Sequence, residues 1–414
     1  MSDTVSVAFR TLIKKGTVPI IMQILPSLNS GGVEQGVIDI NKAIVKAGGI
    51  SIVVSSGGKR VPEITRDGGK HIELPVHSKN IFTMIANIRR LRKIIRNNHV
   101  DVVHACSRAP AWSAKAAVRR TNAKYLTSCH IPLKNNFPFK KWYNSSITKG
   151  ELVITVSNFL SELLENEYHV DPEKLRAIHR GVDLSRYNPS LVSQDRVAML
   201  ANQWRVPDDS LVVFLPGRIT RIKGHMFVVD ALEKLGRKDV FCAFAGKIKG
   251  KESYAAELEK YIKDKNLGSQ IRLVGTCNDM PSAYTLSSVT LMPTLAPEGF
   301  GRIAIEAQAM GRPIIATNHG GACESITHGK TGWLVELDDV DGFAKALEET
   351  LSLTEKERKA FAEKSIKHVA ENFNNEKMCN SVLDVYAELM DMVSVRVLPS
   401  RARLHKDIQK QING

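Results

Sequence analysis

Short apolar strands alternate with helical patterns along most of this chain, and this alternation constrains the fold more than any other feature. The strands of a first series are expected at Pro19 to Leu25, Ser51 to Ser55, Val100 to His104, Lys124 to Ser128 and Leu152 to Val156. Those of a second series are expected at Leu211 to Leu215, Val240 to Ala245, Ile271 to Gly275, Val289 to Pro293, Pro313 to Thr317 and Gly332 to Val335. Parallel strands linked by helices are covered on both faces and consist of continuous apolar runs. The sequence therefore predicts an α/β protein with two doubly wound domains.

The domain boundary is expected where residues 187–190 (Tyr-Asn-Pro-Ser) interrupt the pattern before the second series begins. We therefore predict a first domain at residues 17–190 and a second at 191–370, with a basic tail at 393–414. Residues 1–16 contain neither a long apolar core nor a small-residue cleavage site. They are predicted to be a short disordered extension and not a signal peptide.

The positive charge is concentrated in the first half of the chain. Residues 1–190 contain 28 basic and 14 acidic side chains and the rest contains 30 and 29, so nearly all of the net charge of +15 lies in the first domain. This domain is expected to meet an anionic partner, and nucleic acid, an anionic membrane face and an acidic glycolipid are the candidates. No stretch approaches the roughly 20 apolar residues of a membrane span. Six scattered cysteines without a Cys-x-x-Cys pair fit a reducing cytosol and argue against a zinc site.

The run from Glu298 to Gly311 carries the strongest functional pattern. Gly299 and Gly301 open a predicted helix, where free backbone N–H groups and the helix dipole attract phosphate oxygens. Glu298 and Glu306 can accept hydrogen bonds from sugar hydroxyls. A glycosidase acid and nucleophile pair is one alternative, but eight residues of helix rise about 12 Å, which exceeds the separations such pairs need. A plain amphipathic helix is another alternative, with inward positions at Ile303, Ala307 and Met310.

The spacing Glu298, seven residues, Glu306, with Gly299-Phe300-Gly301 inside it, resembles the signature of the retaining, nucleotide-sugar-dependent glycosyltransferases of family 4. The resemblance runs from about Ile20 to about Glu388. Within this family, the chain resembles mannosyltransferases of the bacterial lipopolysaccharide core. It implies the GT-B fold, in which two Rossmann-like domains face a central cleft. It also implies that the final helix, expected at residues 371–392, crosses back to the first domain.

The resemblance also implies a set of donor-binding residues. These are Gly31, Gly32, Gly217, Arg218, Lys223, Gly299, Phe300, Gly301 and Glu306. Arg218 and Lys223 would hold the donor diphosphate, and fixed cations can stabilise the negative charge that grows on this leaving group without a metal ion. Glu306 would bind the ribose, and the loop at Gly320-Gly321 would line the nucleotide. His130 would lie near the reacting sugar, so the expected catalytic residues are His130, Arg218, Lys223 and Glu298.

Basic and aromatic residues of the first domain form the predicted acceptor side. The expected acceptor-binding residues are Arg108, Phe137, Lys140, Lys141 and Trp142. Aromatic residues interleave with lysines in the segment 133–143, which favours a membrane or glycolipid surface, although nucleic-acid stacking would use similar residues. The stretch 79–96 predicts a helix with Ile81, Met84, Ile85, Ile88, Leu91 and Ile95 packed on one face. Its basic residues would face water or an anionic membrane.

Two further patterns are assigned structural roles. The residues Asp339-Val340-Asp341 match the DxD pattern of metal-dependent transferases, but they precede a helical run and are interpreted as helix-start residues. His104 ends a strand and is expected to be structural. No metal site and no cofactor are predicted.

The sequence thus predicts a hexosyltransferase that retains anomeric configuration and acts on a glycolipid, with the lipopolysaccharide core as the expected acceptor. GDP-mannose or another nucleotide sugar such as a UDP-hexose would be the donor. The enzyme would be cytoplasmic and peripheral on the inner face of the cytoplasmic membrane, with no nucleic-acid partner. A nucleotide-sugar epimerase on the same scaffold and a basic nucleic-acid-binding protein are the alternatives.

Overall fold

The computed structural model describes residues 6–14, 16–29, 31–133, 138–248, 250 and 252–391, with the backbone alone for Pro138 and Phe139. Within these ranges the chain divides into two compact units. The first contains the residues up to His179 and those from Glu376 onward, and the second is Arg180–Asn375. The predicted boundary at residues 190 and 191 lies beyond this division. The basic tail predicted at 393–414 lies outside the described residues.

The first unit is a parallel sheet with its connecting helices. Its strands are β1 (Ile20–Ile24), β2 (Ile50–Ser55), β3 (Lys70–Glu73), β4 (Val102–Ala105), β5 (Lys124–Cys129), β6 (Leu152–Thr155) and β7 (Leu175–Ala177). Its helices before His179 are α1 (Val7–Lys14), α2 (Gly32–Lys46), α3 (Val61–Arg66), α4 (Ile81–Asn97), α5 (Arg108–Val118), α6 (Pro138–Asn144) and α7 (Asn158–Tyr168). The strand order is β3-β2-β1-β4-β5-β6-β7, and Met22 in β1 lies opposite Ile52 and Val103 in its two neighbours. This is the doubly wound arrangement that the alternating pattern predicted.

The second unit repeats the arrangement. Its strands are β8 (Leu211–Pro216), β9 (Val240–Ala245), β10 (Ile271–Gly275), β11 (Val289–Met292), β12 (Ile314–Thr317) and β13 (Trp333–Val335). Its helices are α8 (Gln194–Trp204), α9 (His225–Leu235), α10 (Glu252–Asp264), α11 (Met280–Leu286), α12 (Arg302–Ala309), α13 (Val340–Leu351) and α14 (Glu355–Asn372). The parallel sheet has the order β10-β9-β8-β11-β12-β13. The central strands β8, β9, β11 and β12 are buried almost throughout, as their apolar sequences require.

The last helix, α15 (Asn375–Asp391), packs in the first unit. Leu383 and Tyr386 of this helix are fully buried in one core with Ile21 and Leu126 from the sheet. The predicted return of the C-terminal helix is therefore confirmed. Its amphipathic face supplies the apolar surface that covers this side of the sheet.

The described part of the N-terminal extension is a helix that packs on α15. Phe9 of α1 is fully buried in the core that contains Leu383, and Leu12 is also buried. The backbone N of Ser6 donates to Asn380 Oδ1 at 3.1 Å, and Ser6 Oγ donates to Asp384 Oδ1 at 2.5 Å. The expectation of a disordered extension is therefore wrong for residues 6–14, because their apolar residues bury against the returning helix.

None of the helices in the described ranges combines the length and the apolar character that crossing a bilayer requires.

Candidate functional site

Three loops follow neighbouring strands at the carboxyl edge of the second sheet. They comprise residues 217–224 after β8, 293–301 after β11 and 318–325 after β12. Backbone hydrogen bonds join them, because Leu295 N donates to Ile222 O at 2.9 Å and Gly321 N donates to Glu298 O at 3.0 Å. Ligands of open α/β sheets bind at this edge. The second unit therefore presents one connected set of loops where the sequence predicted donor-binding residues.

Two glycines allow the loops to approach each other closely. Gly224 has a φ of 70°, and a Cβ atom there would lie 2.0 Å from the carbonyl oxygen of Pro293. Gly320 also has a φ of 70°, and its Cβ would lie 3.0 Å from the backbone N and O of Glu298. Residues with side chains rarely adopt this conformation. The glycines therefore permit the close packing of the loops that carry the charged side chains of the site.

An ion pair joins two of the predicted site residues. Lys223 Nζ contacts Glu298 Oε1, and Thr294 Oγ1 donates to the same carboxylate oxygen at 3.1 Å. The side chains of Lys223 and Glu298 are 15% and 22% exposed, so the pair is partly shielded but accessible to a ligand. Thr294 was not among the site residues predicted from the sequence. Its position at the end of a strand, on the same loop as Glu298, is a signal that could have identified it.

Arg218 supplies a second cation to the same edge. Its side chain is exposed and forms no ion pair with any residue that the structure describes. Arg221 differs, because it pairs with Glu257 and lies over the Tyr254 ring at 5.1 Å. The Arg221 side chain is 65% exposed and belongs to the solvated surface. Arg218 is therefore available for an anionic ligand, beside Lys223 on the same loop.

The second carboxylate of the motif lies in a buried polar cluster. Glu306 is 7% exposed, Tyr284 donates its hydroxyl to Glu306 Oε2 at 3.0 Å, and Arg302 Nη2 donates to Oε1 at 2.9 Å. Burial, and next the Glu306 charge, raise the pKa of Tyr284 well above its usual value, so this phenol remains a hydrogen-bond donor. Tyr284 and Arg302 were not identified from the sequence. Together with Tyr187, whose side chain also hydrogen-bonds Glu306, they orient this carboxylate.

Helix α12 is more deeply buried than the amphipathic pattern implied. It begins after Gly301, as expected, but Ala304 to Met310 are all buried and Ile303 is only partly buried. Phe300 is 8% exposed, and its ring lies 5.9 Å from that of Phe373. The Phe300 side chain therefore anchors the loop, and only the backbone of this predicted donor-binding residue is suited to ligand contact. Gly299 and Gly301 beside it are likewise buried.

In the first unit, Gly31 and Gly32 lie at the start of α2 as predicted. A Cβ atom on Gly31 would lie 2.4 Å from Glu34 Oε2, so this carboxylate folds back beside the start of its own helix. An acidic group there complements the helix dipole and repels a phosphate. The position is therefore better suited to a hydroxyl ligand than to a diphosphate.

The two candidate histidines have different surroundings. His130 directly follows β5 and is partly buried. His104 is 1% exposed, with Nδ1 at 2.8 Å from Tyr386 Oη and Nε2 at 2.5 Å from Ser128 Oγ. These bonds join α15 to the sheet, so the structural role predicted for His104 is confirmed. The role of His130 stays a prediction.

The predicted acceptor residues are only partly available. Arg108 Nη1 donates to the buried Asn144 at 2.8 Å, so this guanidinium holds α6 against α5 and has fewer donors left for a ligand. Trp142 packs against Trp112 with ring centroids 4.3 Å apart and the rings tilted by 40°, but it remains 55% exposed. Lys141 is exposed and Lys140 is partly buried. The predicted contact residue Phe137 lies outside the described residues.

Helix α4 differs from the predicted packing at its first two turns. Leu91 and Ile95 are buried as expected, whereas Ile81, Phe82 and Ile85 are 59%, 79% and 47% exposed. The prediction that Ile81 and Ile85 pack inward is wrong, because α5 covers only part of the helix. The exposed basic residues of α4 are Arg89, Arg90, Lys93 and Arg96. Arg92 instead donates to the carbonyl oxygens of Ala116 and Ala117 at the end of α5.

The DxD-like pattern is a helix start. Asp339 is the N-cap of α13 and accepts a hydrogen bond from Gly342 N at 2.8 Å. Asp341 forms an ion pair with Lys234. The structural interpretation of this pattern is confirmed.

Comparison with known proteins identifies the class of protein that has this fold and these loops. Residues 30–186 match the family described as Glycosyltransferase Family 4, and residues 199–368 match Glycosyl transferases group 1. A glycosyltransferase from Rickettsia africae is 35% identical, covers 90% of this chain and 99% of its own, and superposes with a TM-score of 0.83. The chain therefore belongs to the glycosyltransferases. The predicted GT-B fold class and the predicted enzyme class, a hexosyltransferase, are confirmed.

Two more distant similarities extend the comparison. An Escherichia coli protein named UDP-Gal:alpha-D-GlcNAc-diphosphoundecaprenol alpha-1,3-galactosyltransferase is 25% identical over 333 residues, which are 77% of this chain and 83% of that protein. The structure of Anabaena Alr3699/HepE in complex with UDP-glucose has a TM-score of 0.77 and 20% identity, covering 90% of this chain and all of that one. At this identity the second similarity shows the shared fold alone.

Proposed function

We propose that this enzyme transfers a hexose from a nucleotide diphosphate sugar to an anionic glycolipid with retention of configuration. The observation that carries the proposal is that Arg218, which forms no ion pair within the described residues, lies at the same edge of the second sheet as the Lys223–Glu298 ion pair. The two cations suit a diphosphate, and the carboxylate suits the hydroxyls of a sugar attached to it.

The charges provide the chemistry that such a transfer requires. The bond between the anomeric carbon and the diphosphate oxygen breaks, and a bond from that carbon to the acceptor oxygen forms. The acceptor proton leaves with the diphosphate, on whose oxygens negative charge accumulates. Arg218 and Lys223 would stabilise that charge in the absence of a metal ion. Glu298 would hold the sugar and Glu306 would accept hydrogen bonds from the ribose, while His130 would contact the reacting sugar.

The donor is proposed to be a UDP-hexose, with GDP-mannose as the second candidate. The names of the galactosyltransferase and of the Anabaena complex both include a uridine nucleotide sugar. GDP-mannose is supported only by the resemblance of the motif to lipopolysaccharide-core mannosyltransferases.

A thermal-shift panel tests the donor. UDP-glucose, UDP-galactose and GDP-mannose are compared with free UDP and GDP at concentrations up to 100 times the dissociation constant, where binding adds about 2.7 kcal/mol to stability. One nucleotide sugar is expected to raise the unfolding temperature of the wild type, and Glu298→Gln is expected to weaken that response. Glu257→Gln is the matched control, because Glu257 also forms an ion pair, with Arg221, but lies on the exposed surface.

Product analysis completes this test. NMR of the product formed with a lipopolysaccharide-core acceptor is expected to show the anomeric configuration of the donor. Conversion of the donor without acceptor would support an epimerase, and the absence of any response to nucleotide sugars would contradict the proposed function.

The acceptor is proposed to be held at the inner face of the cytoplasmic membrane. The apolar residues exposed on the first two turns of α4, Phe82 foremost, are followed on that helix by the exposed Arg89 and Lys93. An apolar patch next to cations matches the interface of an anionic bilayer, where acyl chains adjoin acidic headgroups. The net positive charge of the first unit also complements an anionic bilayer.

Vesicle sedimentation tests this surface. Phe82→Ser with Ile85→Ser is expected to lower binding to vesicles that contain phosphatidylglycerol by more than about tenfold, because each side chain contributes about 1 kcal/mol or more of apolar burial. The control is Met199→Ser, since Met199 is 71% exposed but lies in the second unit. Equal binding by all three proteins would refute a membrane role for α4.

A further inference from the structure

Thr294 shares one carboxylate oxygen with the ammonium of Lys223. Thr294 Oγ1 donates to Glu298 Oε1 at 3.1 Å, and Lys223 Nζ contacts the same atom. Within the described residues, Glu298 Oε2 has neither a hydrogen bond nor an ion pair. One oxygen of this carboxylate is therefore held by two donors of the protein, and the other is available to a ligand.

Thr294 is itself held rigidly. It is 4% exposed, and its carbonyl oxygen accepts a hydrogen bond from the buried Thr317 Oγ1 at 2.7 Å. Its neighbour Pro293 lies against Gly224, the residue that follows Lys223, with no room between them for a Cβ atom. The hydroxyl of Thr294 is therefore placed by the backbone of two loops and not by the charged side chains that it contacts.

We propose that Thr294 is a positioning residue for the transfer reaction, an inference that rests on the proposed function. By holding Oε1, the Thr294 hydroxyl sets the rotation of the Glu298 carboxylate so that Oε2 faces the donor sugar. The same oxygen anchors Lys223, whose remaining ammonium protons are then directed at the diphosphate. Thr294 contacts neither the sugar nor the phosphates in this arrangement and acts only through its two charged neighbours.

The expected effect follows from the two groups that Thr294 orients. Without the hydroxyl, the Glu298 carboxylate keeps one mobile ammonium as its partner and can rotate about its terminal torsion, which has no sharp minimum. A hydrogen bond to a charged group corresponds to about a tenfold or larger change in an equilibrium or rate constant. Because the leaving group gains charge in the transition state, a displaced Lys223 lowers kcat more than it raises KM.

The variants are chosen to separate the hydroxyl from the shape of the side chain. Thr294→Val keeps the shape and removes the hydroxyl, whereas Thr294→Ser keeps the hydroxyl. Thr350→Val is the matched control, because Thr350 is 2% exposed and its Oγ1 donates to Ala346 O at 2.6 Å in helix α13. Thr350→Val therefore loses a buried hydroxyl of the same unit without altering the site.

The measurements are steady-state nucleotide release from UDP-glucose or GDP-mannose and calorimetric affinities for the nucleotide sugar and for the free nucleoside diphosphate. Thr294→Val is expected to lower kcat about tenfold or more and to weaken binding of the nucleotide sugar more than that of the diphosphate. Thr294→Ser should restore most of the rate, and Thr350→Val should match the wild type.

The outcomes distinguish this inference from the proposed function. A wild type that responds to a nucleotide sugar, together with an unchanged Thr294→Val enzyme, overturns the role of Thr294 alone. Equal losses in Thr294→Val and Thr350→Val also overturn it, because they indicate general destabilisation. A wild type that binds and turns over no nucleotide sugar overturns the proposed function and the role of Thr294 together.

Discussion

Replacement of Lys223 by methionine removes the ammonium of the ion pair but keeps most of the apolar stem. Two effects follow, because Lys223 contacts Glu298 and is also proposed to contact the diphosphate of the donor. The first is a change in stability, and the second is a loss of transition-state stabilisation. They can be measured separately.

The stability effect is small. The side chain of Glu298 is 22% exposed, and in the variant its Oε1 keeps the hydrogen bond from Thr294. Partial solvation reduces the cost of an unpaired charge, so the free energy of unfolding is expected to fall by about 1 kcal/mol. Chemical denaturation of the variant and of the wild type measures this difference.

The catalytic effect is larger. A unit charge about 4 Å from the lysine is stabilised by about 4 kcal/mol at an effective dielectric constant of 20. Loss of a preorganised charge-stabilising group commonly costs about 2.7 to 4 kcal/mol, which corresponds to about 10² to 10³ in kcat. We expect Lys223→Met to lose this much in the rate of nucleotide release.

Two further variants isolate the cause. Arg221→Met is the control on the same loop, and because Arg221 is 65% exposed and pairs with Glu257, its rate should stay within about threefold of the wild type. The double variant Lys223→Met with Glu298→Gln removes the unpaired carboxylate, which would otherwise repel the donor. Recovery of the rate in the double variant, or a Lys223→Met enzyme within about threefold of the wild type, would refute the leaving-group role of Lys223.

Three other predictions concern the scaffold. Phe9→Ala should lower the free energy of unfolding by about 3 to 5 kcal/mol, because Phe9 is fully buried, whereas Val7→Ala on the exposed face of the same helix should stay within about 0.5 kcal/mol in urea denaturation. Thr290→Val should raise the unfolding temperature, since Thr290 Oγ1 is buried and has no hydrogen-bond partner among the described residues; a lower unfolding temperature would contradict this. Burial lowers the pKa of His225 to about 4, so the unfolded state binds more protons than the folded state between about pH 6.5 and pH 4. The free energy of unfolding should therefore fall by about 3 kcal/mol on acidification through this window. His225→Phe should reduce this dependence on pH, which denaturation curves recorded at a series of pH values measure.

The central strands were predictable, whereas two edge strands were not. Strands such as β8 and β9 are buried on both faces, so each consists of a continuous apolar run that identifies it. The edge strands β3 (Lys70–Glu73) and β7 (Leu175–Ala177) are partly exposed and carry charged residues. They lack an apolar run and are identified only by their pairing with β2 and β6.

The sequence periodicity of a helix likewise does not predict which residues of its apolar face are buried. The periodicity of α4 placed Ile81, Ile85, Leu91 and Ile95 on one face, but it contains no information about how far the neighbouring helix extends. Leu91 and Ile95 are buried and Ile81 and Ile85 are exposed. For α1, the short apolar pattern was too weak to predict a helix, and its order comes from the α15 surface on which Phe9 is buried.

The sequence by itself determined the two doubly wound units and the positions of Arg218, Lys223, Glu298 and Glu306, because strand burial and glycine-bounded motifs are local properties of the chain. Only the tertiary structure decided which of these groups meet. Lys223 and Glu298 follow different strands, and they pair because β8 and β11 are neighbours in the sheet and glycines let their loops touch. Tyr284 contacts Glu306 for a similar reason, since the two residues lie on different helices and a hydrogen bond depends on separation in space and not on separation along the chain.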